Sequence, residues 1–173
     1  ADAPDASVQD DSGLEDQWIQ LHLDSQVSQD TDGSETLSIT ITGVPEGAIL
    51  NPATEVGDGV WTATADELPH VCILPPSDFS GDIPLTLSVT TTENDGDTNT
   101  VTEDFTVSVE AVADTPDLDL DNVQGLEDNV VPLDISSALT DTDGSESLSI
   151  TVSDIPEGVT LSAGIVNDDG SVT

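Results

Sequence analysis

The sequence predicts an all-β fold, a two-layered sandwich repeated in tandem along the chain. Three observations predict it. Apolar residues fall in short runs that alternate with hydroxyl-bearing ones, the period of a strand with one buried face. Clusters of Asp, Gly, Pro and Ser separate those runs. The sequence also repeats itself at a spacing as long as a small domain.

The repeat is the strongest of the three. Residues 30–50 read DTDGSETLSITITGVPEGAIL and residues 141–161 read DTDGSESLSITVSDIPEGVTL, identical at 14 of 21 positions. Gly13-Leu14-Glu15-Asp16 returns as Gly125-Leu126-Glu127-Asp128, and Ala1-Asp2-x-Pro4-Asp5 as Ala113-Asp114-x-Pro116-Asp117. Asp58-Gly59-x-x-Thr62 returns as Asp169-Gly170-x-x-Thr173. The offset is 112 in the first part and 111 from Asp30 onward. A period this long carries a whole domain rather than a solenoid turn. The expected organisation is one complete repeat over residues 1–112 and the N-terminal half of a second, truncated repeat over 113–173.

Within one repeat the expected strands are Trp18–Leu23, Thr36–Thr42, Ala48–Asn51, Val60–Ala65, Val71–Leu74, Ile83–Thr92 and Thr98–Val112. Leu85, Leu87 and Val89 alternate with Thr86, Ser88 and Thr90, and Phe105, Val107 and Val109 alternate with Thr106 and Ser108. Each set predicts one buried and one wet face. Seven short strands in such a length fit an immunoglobulin-like sandwich.

Charge excludes several functions. The chain has 37 Asp and Glu and no Lys or Arg, a net charge of −37. Nothing can neutralise a phosphate backbone, so nucleic acid is excluded as a partner. No basic patch meets anionic lipid, no run of apolar residues spans a bilayer, and P-loop or Arg-clamped phosphoryl chemistry lacks its cation. Every carboxylate must be solvated, protonated, hydrogen-bonded or metal-bound. With 35% hydrophobic residues, 2% aromatics and one cysteine, the expected core is thin and has no internal disulfide. Divalent cations are then the natural relief of self-repulsion.

Successive loops of a sandwich fall at alternate ends. Counting from a first strand at Trp18–Leu23, the end where the chain enters should collect Asp5, Glu15, Asp16, Glu46, Asp66, Glu67, Asp95 and Asp97. The loop Asp24–Glu35, Asp58, the Asp78–Asp82 turn and Asp114 should lie at the other. Calcium takes six to eight hard oxygen ligands in a forgiving geometry, whereas magnesium dehydrates reluctantly. Asp30-x-Asp32-Gly33-x-Glu35 offers three carboxylates around a turn, and Asp141, Asp143, Gly144 and Glu146 repeat it. Asn94-Asp95-Gly96-Asp97 is a second acidic turn. None has the spacing of a complete EF-hand loop, and acidic Asp-Gly turns also arise for backbone reasons alone. Zinc and copper lack ligands, with two His and one Cys distant in sequence.

No enzyme is predicted. His22 and His70 have no Gly-x-Ser-x-Gly elbow to serve, and the position of His22 is Asp134 in the second copy. Trp18 and Trp61 become Val130 and Val172, which predicts core packing for both rather than sugar stacking. Cys72 reads as a small buried apolar residue.

Together DTDGSE–LSIT–(V/I)PEG, DG-x-(W/V)-T and the PPSDFSGD turn resemble the tandem extender repeats of giant bacterial adhesins. These are the RTX or biofilm-associated surface proteins that Gram-negative bacteria export by type I secretion. The resemblance covers the whole chain. It implies immunoglobulin- or cadherin-like sandwiches that bind Ca2+ at or near domain junctions. It places Glu15, Asp16, Asp30, Asp32, Glu35 and Asp114 among the acidic positions near junctions, with Glu127, Asp128, Asp141, Asp143 and Glu146. The Gly-Gly-x-Gly-x-Asp nonapeptides of the RTX β-roll are absent. The function expected is a calcium-stabilised spacer, secreted to the bacterial cell surface, whose partners are neighbouring repeats of the same chain. Two alternatives stand beside it: a filament subunit completed by homotypic strand pairing with a neighbouring chain, and a sandwich module that binds carbohydrate or protein.

Overall fold

A computed structural model describes residues 1–26 and 35–173. The chain divides into two compact units, Ala1–Val112 and Ala113–Thr173.

Among its described residues the first unit is all-β apart from one 3-10 turn. Its strands are β1 (Asp5–Ser7), β2 (Asp11–Leu14), β3 (Ile19–Gln20), β4 (Asp24–Gln26), β5 (Glu35–Thr42), β6 (Ile49–Asn51), β7 (Thr54–Gly57), β8 (Val60–Ala63), β9 (Cys72–Leu74), β10 (Gly81–Glu93) and β11 (Thr98–Glu110). They form a six-stranded sheet in the order β2-β11-β10-β5-β8-β7, a three-stranded sheet β3-β9-β6, and the pair β1-β4. One hydrophobic cluster takes side chains from both larger sheets: Ile39, Ile41, Trp61, Leu85, Leu87, Phe105 and Val107 from the first, and Ile19, Leu50 and Ile73 from the second. Two layers sharing one core is the arrangement of a β-sandwich.

The long hairpin β10–β11 shows how the sequence produces this. Ile83, Leu85, Leu87, Val89 and Thr91 are buried along β10, while the residues between them are not. Phe105, Val107 and Val109 do the same on β11. This is the predicted alternation, and the pleat enforces it by sending successive side chains to opposite faces. Thr91 is the one polar residue in the buried row, and its hydroxyl donates to the Asp2 carbonyl at 2.5 Å. Pro84, which has no N–H, lies beyond the end of β5, whose pairing with β10 begins at Thr42↔Thr86.

Several strands are not where the sequence alone places them. The expected strand at Trp18–Leu23 shortens to Ile19–Gln20, while β1, β2, β4 and β7 form in segments with no apolar alternation. These short strands are held by backbone ladders, β2 to β11, β7 to β8, and β1 and β4 to each other, so their own side chains carry little signal. Trp18 corrects the core reading, because it is 50% exposed where Trp61 is 8% exposed. Cys72 is only half-buried, and its Sγ approaches Gln20 Oε1 at 3.3 Å.

Thr64-Ala65-Asp66-Glu67 forms a reciprocal cap ahead of the 3-10 turn Leu68–His70. The Thr64 amide donates to Glu67 Oε2 at 2.9 Å and the Glu67 amide donates to Thr64 Oγ1 at 3.3 Å. The turn seats Leu68 in the core with no exposed surface.

The second unit contains β12 (Asp117–Asp121) paired antiparallel with β13 (Asp134–Ala138), and bridges at Val152↔Val172 and Val166↔Val172. Many of its apolar side chains are exposed, Leu126, Val130 and Ile165 among them. Among the described residues no helix is long and apolar enough to cross a membrane.

Two outcomes follow from this architecture. Leu87→Ala should lower the stability of the first unit by about 2–5 kcal/mol, because Leu87 is fully enclosed and the cavity cannot collapse between two layers. An unchanged urea midpoint would contradict that packing. The Thr64 amide, and then its hydroxyl, hold the Glu67 carboxyl below its ordinary pKa. A depressed folded pKa contributes stability above the unfolded value and loses it as pH falls through the folded one. Glu67→Gln should therefore be the less stable chain at neutral pH, and the gap should close in acid; a gap that persists below the carboxylate range would refute this role.

Candidate metal-binding carboxylates

The registers fix which acids share an end of the first unit. Glu35 pairs with Glu93 at one end of the β5–β10 ladder, and Thr92 with Thr98 closes β10–β11 around Asp95 and Asp97. Asp2 is at this end too, since its amide donates to Glu35 Oε1 at 2.7 Å. At the opposite end, β2 runs parallel to β11 so that Leu14 lies beside Glu110, and the Glu15 amide donates to the Glu110 carbonyl at 3.0 Å.

This corrects the expected distribution. Glu15 and Asp16 lie at the end where the chain leaves the first unit, not where it enters, and Glu35 lies at the entering end. The reason is β1 and β2: the chain has already crossed the sandwich once before it reaches Glu15. Glu46 also moves to the leaving end, because Val44 and Gly59 meet there through a backbone hydrogen bond of 3.3 Å. Asp95 and Asp97 lie at the entering end as expected.

The Gly13-Leu14-Glu15-Asp16 segment is shaped by two backbone demands. A Cβ on Gly13 would lie 2.5 Å from Ile19 Cγ1, so only glycine lets β3 cross so close. Gly125 meets Val131 in the same way, at 2.1 Å. Asp16 then takes a left-handed conformation with φ +56°, as Asp128 does with φ +61°, which turns the chain back. The turn leaves Glu15 4% exposed. Its Oε1 accepts the Val112 amide, while its Oε2 is buried without a hydrogen-bond partner. Asp16 Oδ1 accepts the Asp78 amide at 3.2 Å, and carboxylate oxygens of Asp16 and Asp78 lie within 4.8 Å of one another.

In the second unit the DTDGSE turn is built from its own acids. The Asp143 amide donates to Asp141 Oδ1 at 2.8 Å, the Ser145 amide to Asp143 Oδ1 at 2.6 Å, and the Ser145 hydroxyl to Asp141 Oδ2 at 3.0 Å. Carboxylate oxygens of Asp141 and Asp143 lie within 4.8 Å. The Asp114 amide donates to Glu146 Oε1, repeating the Asp2–Glu35 bond of the first unit. In both copies the second oxygen of that glutamate is buried and unpartnered.

Within each unit, carboxylates that could contribute to holding a metal ion approach one another: Asp16 with Asp78 in the first, and Asp141 with Asp143 in the second. All these donors are hard oxygens, which suit a hard cation rather than a soft metal. Asp95 and Asp97 form a different arrangement. The Asp97 amide donates to Asp95 Oδ1 at 3.0 Å. Glu127 and Asp128 are exposed, although Glu127 stands where Glu15 is buried. Asp30 and Asp32 lie outside the described residues. Asp78 was not singled out from the sequence, and its signal is the PPSDFSGD turn, where it adopts φ +55°.

A groove of about 720 Å³ in the first unit is lined by Val44, Ala48 and Trp61 with Glu46, Glu55 and Asp58. The repeat does not keep it, since Glu55 and Trp61 become Val166 and Val172.

Glu15→Ala should destabilise the first unit by about 1–3 kcal/mol by stripping the Val112 amide of its acceptor, read as a lower urea midpoint in metal-free buffer. No change would mean that water replaces the carboxylate without cost. No protein-family model matches the chain, and a comparison with curated proteins finds no match.

Proposed function

We propose that the chain is a calcium-stabilised structural spacer: extender repeats, of immunoglobulin- or cadherin-like form, from an adhesin secreted to the surface of a Gram-negative bacterium. The observation that carries the reading is the approach of carboxylates to one another, Asp16 to Asp78 and Asp141 to Asp143, in a chain with no Lys or Arg. Like charges held together are costly without a bound cation. The role is mechanical rather than catalytic. External calcium binds the folded repeats, stabilises them by mass action and stiffens the string they form with neighbouring repeats. In a low-calcium cytosol the same repulsion keeps the chain loose for export.

Thermal melts in EDTA, in magnesium and in millimolar calcium test this. Calcium at a hundredfold excess over its dissociation constant adds about 2.7 kcal/mol, so the melting temperature should rise with calcium and much less with magnesium. Asn at both Asp16 and Asp78, or at both Asp141 and Asp143, should reduce that rise, whereas Asn at Asp95 and Asp97 should not. Identical melts in EDTA and calcium would overturn the reading.

A further inference from the structure

The groove beside Trp61 lies where both sheets of the first unit end. β7 is the last strand of the six-stranded sheet and β6 the last of the three-stranded one. Glu55 lines the groove from β7 and Ile49 from β6. The walls are fixed to each other. The Val44 amide donates to the Gly59 carbonyl at 3.3 Å, and a Cβ on Gly59 would lie 2.6 Å from the Val44 carbonyl oxygen. The Ala48 amide donates to the Pro45 carbonyl at 3.1 Å, closing the turn that presents Glu46. The floor is apolar, with Val44 4%, Ala48 8% and Trp61 8% exposed.

Two kinds of polar group are left unanswered there. Among the described residues no hydrogen bond reaches the carboxylates of Glu46, Glu55 or Asp58. Elsewhere on this unit Thr, Ser and backbone donors meet the acids, as at Asp104, Asp82 and Asp10. The Trp61 indole Nε1–H also donates to nothing among the described residues, and it is not sealed from solvent. An apolar floor with a free donor and three free carboxylates suits a ligand that combines an acceptor, an aliphatic stem and a cation. A metal ion has only the last. Residues 1–173 contain no Lys or Arg, so neither a distant segment of them nor a second copy supplies that cation.

We infer that the groove binds an extended, arginine-bearing segment of a different protein. The methylene stem of the arginine covers Val44 and Ala48, and its planar fork of donors meets Glu46, Glu55 and Asp58. A backbone carbonyl of the segment accepts from Trp61 Nε1–H, and its backbone adds to the outer edge of β7. Glu55 pairs with Trp61 across β7–β8 and so shares its inward face. An inward acid on an edge strand discourages pairing between like copies. Here it also selects, because it repels an acidic strand and accepts one that carries arginine. Val166 and Val172 stand in place of Glu55 and Trp61 in the second unit, so the site is particular to the first. None of its residues is a proposed calcium ligand, and the inference does not depend on that reading.

The test follows the Trp61 indole Nε1–H resonance of the whole isotope-labelled chain in EDTA at low ionic strength, told from that of Trp18 by Trp18→Phe. The probe is the blocked peptide Thr-Val-Arg-Val-Thr. It should shift that resonance saturably, and the same peptide with neutral citrulline in place of arginine should not. Glu46→Gln, Glu55→Gln and Asp58→Asn together should weaken binding at least about tenfold. All three acids are exposed, so their replacement leaves the fold intact. Asp24→Asn, Asp66→Asn and Glu103→Gln together remove the same charge elsewhere and should weaken it less than about twofold. No shift at millimolar peptide overturns the inference. So does equal binding of the citrulline peptide, or equal weakening by the distant replacements, which would make the attraction one of net charge alone. Equal binding of arginine amide by itself also overturns it, making a small cation the ligand.

Discussion

β10 and β11 stay in register from Gly81↔Val109 to Thr92↔Thr98, and the rest of the six-stranded sheet hangs on that ladder. β5 pairs along one side of it and β2 along the other, and β8 and β7 follow outward from β5. The hairpin also brings the largest share of the apolar core. Residues 113–173 repeat the pairing of β1 with β4 in the same register, as β12 with β13.

The second constraint is charge. With no Lys or Arg, neutral donors take over the satisfaction of acids. Thr86 donates to Asp104 at 2.7 Å, Ser108 to Asp82 at 2.7 Å, and the Thr106 amide to Asp10 at 2.8 Å. Such bonds satisfy lone pairs without removing charge, so they stabilise each carboxylate locally and leave the net −37 intact. The hydroxyl faces of β10 and β11 thus serve as more than solvated surface. They are the internal partners of a sheet that has no cationic ones. What neutral donors cannot relieve is the approach of two carboxylates, as at Asp16 and Asp78, and that is where a cation is worth most.

Much of this was legible in the residues. Alternation along Ile83–Thr92 and Thr98–Val112 located the two longest strands because their burial is one-sided and regular. The repeat located the division near residue 112 without any structural information. The candidate site was only half legible. Asp141 and Asp143 announce themselves by their turn, but nothing in the Asp78–Asp82 turn set Asp78 apart from Asp82. The ends were misassigned for Glu15, Asp16, Glu35 and Glu46 because β1 and β2 carry no apolar pattern. Missing one crossing of the sandwich inverts the placements of those four, whereas Asp95 and Asp97 keep theirs. Trp18 shows the same limit, since replacement by Val130 is tolerated equally by a core position and by an exposed one.

Composition and period by themselves determined an all-β chain of domain-length repeats that depends on something other than ion pairs for its electrostatics. Those properties are sums over residues or local periodicities, and they need no knowledge of contacts. Tertiary structure decided which carboxylates meet, which aromatic is buried, and that Glu15 holds the Val112 amide from 97 residues away. Such facts depend on how many times the chain crosses the sandwich and on the register of β2 against β11. Both are set by backbone ladders between segments distant in sequence, where the residues themselves carry almost no signal.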